Sequence, residues 1–227
     1  MTADVAAHRA RPWRVHTMAP DFELLDLWEL PVEADPARGE TFGSFLEIFL
    51  STGAASWPVY SLRPRSLGDV AHLVRLCGAA ALFGLRDVLG RVLSLDDDDG
   101  SRPIPGTWET RVRSRLTADD RARETAVLPA RWAGAFETVY GFADEALLEI
   151  ANRTIHGLLH LSWVEAPDGR RRVVLAVYVK SRGAGSRFYL ALIKPFRHAV
   201  VCPAWIRRVV RTWQVRRPAA AAAASAR

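Results

Sequence analysis

The sequence predicts an α+β fold, a single antiparallel sheet with helices packed on it, and three observations carry that reading. The runs Thr154–Val164 and Arg172–Lys180 flank Pro167-Asp168-Gly169, the pattern of two strands joined by a tight turn. Thr41–Leu50 places Phe42, Phe45, Leu46, Phe49 and Leu50 at helical spacing. A C-terminal stretch from about Ser186 to Val215 offers Phe188, Leu192, Phe196, Val200 and Trp205 near the same spacing. The order of strand, helices, consecutive strands and final helix is an α+β order rather than a βαβ alternation.

The chain has 227 residues, 49 % of them hydrophobic, which suffices for one domain with a substantial core. That domain reads as residues 21–214. Residues 1–20 read as a flexible, proline-punctuated arm and residues 215–227 as a disordered Arg/Ala-rich tail. Cys77 and Cys202 stand far apart, which argues against a disulfide framework, a zinc site or a redox CxxC motif and favours a reducing compartment. The first twenty residues carry no apolar h-region of a secretory signal. The most apolar stretch, Phe188–Ile206, is interrupted by Lys194, Arg197 and His198, so no transmembrane helix is expected and the location is read as cytoplasmic.

Along the chain, Asp21–Leu30 reads as a strand closed by Pro31, and Thr41–Leu50 as a helix ended near Gly53. A second helix is predicted from Ser66 to about Ser94, with Ser66 as N-cap and Asp69 three residues on. Residues 95–132, rich in Asp, Arg, Pro and Gly, read as a long loop or insertion with one short helix. Phe136–Phe142 and Ala146–Ala151 are further strand candidates. Pro195 and Pro203 are expected to kink the C-terminal helix.

The hairpin fixes two faces. With Ala166 opposite Arg170, Trp163 pairs with Val173, Leu161 with Leu175, Leu159 with Val177 and Gly157 with Val179, giving an almost wholly apolar face. The other face pairs Val164 with Arg172, Ser162 with Val174, His160 with Ala176, Leu158 with Tyr178 and His156 with Lys180, and is expected to be the wetter one. A one-residue slip would mix the two sets, so burial selects this register.

Few motifs carry chemistry. His156 and His160 lie about 13 Å apart along a strand, too far for one metal ion to bridge at bonds of about 2 Å. Asp96–Gly100 resembles half of a calcium loop, but Leu95 and Gly106 occupy the positions where that loop needs acids. No nucleophile elbow, P-loop or dinucleotide fingerprint occurs, and Cys202 before Pro203 reads as core. No metal, cofactor or catalytic residue is assigned.

The net charge is +6, almost all of the positive charge being arginine, with lysine only at 180 and 194. Arginines cluster at Arg111, Arg113, Arg115, Arg121 and Arg123, and at Arg207, Arg208, Arg211, Arg216 and Arg217. Apart from Trp213, aromatic residues for base stacking are sparse among them. Arginine-favouring codon usage explains the excess more simply than nucleic acid does. Duplex DNA binding is accordingly expected to be weak and to vanish near physiological salt in a titration, and sequence-specific binding that persists there would contradict it.

The segments EIANRTIHGLLHLSWV (Glu149–Val164) and FYLALIKPFRHAVVCPAWIRRV (Phe188–Val209), with DFELLDLWELP (Asp21–Pro31) before them, resemble the uncharacterised DUF2867 family. The resemblance spans roughly residues 13–214. That family is similar to the START and Bet v 1 (SRPBCC) superfamily of helix-grip folds, in which a curved antiparallel sheet wraps a long C-terminal helix. The resemblance implies a cavity between sheet and helix and transfers no catalytic residue. A lipid-like or polyketide-like apolar ligand would then be lined by Leu159, Leu161, Trp163, Leu175, Val177, Phe188, Leu192 and Phe196, with Gly157 leaving space. The same residues could instead form a fully packed core. The rival function is an interaction protein that applies its arginines to an acidic partner or membrane surface.

Overall fold

The computed structural model describes residues 3–35, 39–52, 111–125, 128–132, 136–151, 155–166, 169–181, 198 and 202–224. Among them lie five α-helices and six strands. The helices are α1 (Val5–Ala10), α2 (Arg14–Met18), α3 (Phe42–Ser51), α4 (Ala118–Ala122) and α5 (Cys202–Ala224), with a 3-10 turn at Val112–Arg115. The strands are β1 (Glu23–Ala34), β2 (Arg131–Trp132), β3 (Phe136–Gly141), β4 (Glu145–Ala151), β5 (Ile155–Glu165) and β6 (Arg171–Ser181). They form one sheet in the order β1-β6-β5-β4-β3-β2, antiparallel at every pairing. The α+β class follows. The helix predicted from Ser66 to Ser94 lies outside the described residues.

Each element has a local cause. The β5–β6 hairpin has the expected register, with Trp163 opposite Val173 and His156 opposite Lys180. Ala166 N donates to Arg170 O at 2.8 Å, and Gly169 closes the loop at φ +75°, a conformation that glycine adopts at no steric cost. Strand β1 runs through Pro31 rather than stopping before it. It is an edge strand, and the pairing skips from Leu30 to Glu33 at a register shift, so a residue without an N–H is tolerated there. Thr41 and Ser44 form a reciprocal capping box at the start of α3.

The described part of the C-terminal helix begins at Cys202 and continues past Val215 to Ala224. Pro203 is the second residue of that described part, and a kink there depends on preceding residues that lie outside the described ones. Ser186–Arg197, including Pro195, lies outside the described residues.

Both faces of the sheet are buried, and here the expectation of one wetter face fails. The apolar face packs under α3 and α5. The face bearing His156 and His160 is covered by the N-terminal segment, whose Trp13, Val15 and Met18 pack with Leu27, Tyr140, Leu147, Leu158 and Tyr178. Residues 5–10 and 14–18, read from sequence as part of a flexible arm, are helices on the sheet. Their polar composition conceals a short apolar stripe that only the sheet's second face can bury.

Candidate functional site

The apolar face is built in rows across the strands. Leu30, Val173 and Trp163 form one row. Trp28, Leu175, Leu161 and Ala146 form the next, and Asp26, Val177, Leu159 and Leu148 the third. At the Trp163 end the layer is full. Phe42 meets the Trp163 ring edge-on at 5.5 Å, and Phe45 packs against Trp163 at 6.3 Å and Trp213 at 5.8 Å. Leu161, Leu175 and Trp163 are core residues under these rings. The space beside Gly157 is also occupied: a Cβ there would lie 3.1 Å from Ile150 Cγ2. In the third row Val177 is only half-buried, while Leu159 and Leu148 are core residues. Of the eight cavity candidates, Leu159 and Val177 lie at this end of the layer, looser only at Val177, while Phe188, Leu192 and Phe196 lie outside the described residues.

That looser end holds a charge. Asp26 faces Val177 across the β1–β6 pairing, so its carboxylate belongs to the apolar face. Its side chain is fully buried, and Oδ1 bonds His198 Nε2, which arrives from the segment leading into α5. The His198 ring lies 5.2 Å from that of Trp28, whose buried Nε1–H has no acceptor among the described residues. A carboxylate in an apolar layer is retained only when paired. The pair ties the approach to α5 to the sheet at this row.

The second face carries a larger polar cluster. Glu145 on β4 accepts from the Arg14 backbone N–H through both oxygens, at 3.0 and 3.2 Å, from Tyr140 Oη at 3.0 Å and from His160 Nε2 at 2.9 Å. Glu149 accepts from His156 Nε2 and from the Val112 N–H. Arg14 reaches on to Asp120, binding both its oxygens at 2.9 and 2.7 Å, and this guanidinium holds the Asp120 carboxyl at about 2. Burial, with Glu145 beside it, keeps the Tyr140 hydroxyl protonated far above its ordinary range.

Tyr178 binds the two N-terminal histidines, at 2.7 Å to His8 Nε2 and 3.1 Å to His16 Nε2. Burial lowers the pKa of both histidines, His8 to about 3. Their neutral forms fix the proton positions. A carbonyl only accepts, so His16 Nδ1 carries the hydrogen it shares with Arg11 O at 3.1 Å. His16 Nε2 is then an acceptor and takes the Tyr178 hydroxyl proton. The Tyr178 oxygen in turn accepts from His8 Nε2–H. The chain His8, Tyr178, His16, Arg11 C=O is satisfied in one direction only.

Sequence reasoning placed the histidines on the correct face and missed their partners. The signal was present. Glu145 and Glu149 are four residues apart on β4, as are His156 and His160 on β5, and in adjacent antiparallel strands equal steps bring each acid diagonal to its histidine, Glu145 to His160 and Glu149 to His156. No group of three or more His, Cys, Asp or Glu among the described residues is placed to hold a metal ion.

Four arginines of the first cluster make contacts within the molecule. Arg111 pairs with Glu137, and Arg113 donates to Thr138 O and Val139 O at 2.8 Å each. Arg115 donates to Met18 O, and the Arg123 guanidinium lies 4.7 Å from the Phe142 ring centre. Arg113, Arg121 and Arg123 nevertheless remain exposed to solvent. In the second cluster, Arg207, Arg208 and Arg211 are exposed on α5. No helix among the described residues is long and apolar enough to cross a membrane.

Comparison with known families matches residues 18–204 to the one described as "Protein of unknown function (DUF2867)". No curated protein and no solved structure matches the chain.

Proposed function

We propose, for a chain that belongs to the DUF2867 family of proteins of unknown function, that it binds a small, largely apolar molecule between the sheet and the approach to its C-terminal helix. The observation that carries this reading is the polar spot in the third apolar row: Asp26 paired with His198, beside the Trp28 N–H, which has no acceptor among the described residues. Binding sites for small molecules are mostly apolar with a few placed polar groups. The ligand would lie against Leu159 and Val177 and offer one hydrogen-bond acceptor to Trp28 Nε1. Leu161, Leu175 and Trp163 would form the packed floor behind it. The reading places no catalytic step.

Native mass spectrometry of protein purified from its own host tests this. A stoichiometric small molecule is expected, and the wild type should take up an apolar fluorescent probe. Leu159→Trp, which fills the looser end, should reduce probe uptake at least tenfold while the denaturation midpoint stays close to wild type. Absence of both an adduct and probe uptake in the wild type would sink the reading.

A second reading, contact with an acidic partner or membrane surface through α5, has the exposed Arg207, Arg208 and Arg211 in its favour. Binding to anionic vesicles that disappears with added salt, without uptake of an apolar probe, would select it.

A further inference from the structure

We propose that α1 and α2 are an acid-released cover over the second face of the sheet, with His8 and His16 clamped on Tyr178 as its catch. The proposal is independent of the ligand reading, because it concerns the opposite face.

The geometry supplies the catch. His8 and His16 meet at 5.2 Å, ring edge to ring face, and His8 lies 5.7 Å from His160. Three imidazoles therefore cluster, His8 and His160 buried and His16 half-buried. The groups facing them are few and mostly basic or neutral. From the N-terminal segment come Arg9, Arg11 and Arg14, and from the sheet Tyr178, Tyr140, His160 and Glu145. From α4 comes Asp120, which Arg14 already neutralises. Glu145 is the one acid among the described residues directed at the cluster, and its oxygens are taken by Arg14 N–H, Tyr140 and His160. A second proton on His8 or His16 would find no carboxylate waiting. On His16 it would also break the one-way chain through Tyr178, because a doubly protonated imidazole cannot accept the Tyr178 hydroxyl proton, whereas on His8, whose Nε2–H already donates to Tyr178, it would add an uncompensated charge to a buried ring.

The direction of the pH effect follows. Burial first, then His160, His16 and the nearby arginines, depress His8 from 6.5 to about 3. A group neutral in the docked form and protonated when released leaves docking at full strength above pH 6.5. Docking weakens as the pH falls from there toward 3. Over the step from pH 7 to pH 5, His8 alone should raise the open-to-docked ratio about 25-fold, and His16 adds to it in the same direction. Among the other ties of α2, Arg14 to Asp120 titrates only near pH 2 and so does not open in that window. The β5–β6 ladder lies beneath the catch and contains no part of it except Tyr178 and His160. It should stay closed while the cover lifts, exposing Leu158, Ala176 and the faces of Trp13, Val15 and Met18.

Hydrogen exchange of the full chain, corrected for intrinsic rates, reads this directly. Amides of residues 5–18 are expected to lose protection about 25-fold or more between pH 7 and pH 5, while those of β5 change little. The doubly substituted His8→Gln, His16→Gln chain, whose side chains do not titrate, should show less than a threefold change. Unchanged protection of residues 5–18 at pH 5 in the wild type would overturn the proposal. So would β5 losing protection by the same factor, or the substituted chain keeping the full response. If that chain does not fold, imidazole nitrogen NMR of the wild type decides. Protonation of His8 should appear only in step with the exchange of residues 5–18, and a protonated His8 under a still-protected cover refutes the catch.

Discussion

Glu145→Ala is expected to destabilise the protein by about 3–5 kcal/mol, the range for removing one member of a buried charged network. The carboxylate is the common acceptor for the α2 backbone, Tyr140 and His160, and it is almost fully buried. Removing it leaves three donors inside the second core without an acceptor, and their unmet desolvation, about 1–3 kcal/mol each where neither rearrangement nor water relieves it, is the source of that loss. Glu145→Gln should cost clearly less. An amide oxygen at the Oε2 position can still accept from Tyr140 and His160, while its NH2 group opposes only the Arg14 N–H. Denaturant unfolding of the two variants measures the difference. Equal, small losses for both would show that Glu145 does not organise this face.

Phe45→Ala is expected to cost a similar amount, about 3–5 kcal/mol, because the site is surrounded by rigid rings and cannot collapse around the loss. Phe45 is completely buried. Phe42, Phe49, Trp163 and Trp213 all pack within 6.4 Å of its ring centre. The same truncation at Leu159, at the looser end of the layer, should cost at the low end of the leucine range, about 2 kcal/mol, if a ligand site adjoins it. Comparable losses at the two positions, scaled for side-chain size, would mean that the layer is packed throughout. The pair of unfolding curves therefore maps where along one sheet face a packed core gives way to space.

Much of the fold was legible in the sequence because it is written in short-range patterns. The turn at Gly169 and the alternation on either side of it set the β5–β6 register without reference to any other element, since a slip of one residue would expose Trp163 and Leu161. The step of Phe42, Phe45 and Phe49 announced α3 and the side it buries. The alternation also sorted Leu159, Leu161, Leu175 and Val177 from His156 and His160, face from face.

What lies over each face was decided only by tertiary structure. Alternation separates two sides of a strand but does not say which side meets water. The histidine face looked wet because His, Ser and Lys lie along it, and it is dry because Glu145, Glu149 and Tyr178 bind the histidines while Trp13, Val15 and Met18 seal them in. Those partners sit on different strands or, for His8 and His16, more than 160 residues from Tyr178 in the chain. A local pattern carries no information about contacts at that range. The same holds for Asp26, which reads in sequence as one acid in an apolar strand. Only the β1–β6 register, with a shift just before it, turns it onto the apolar face opposite Val177, where a buried charge must find His198.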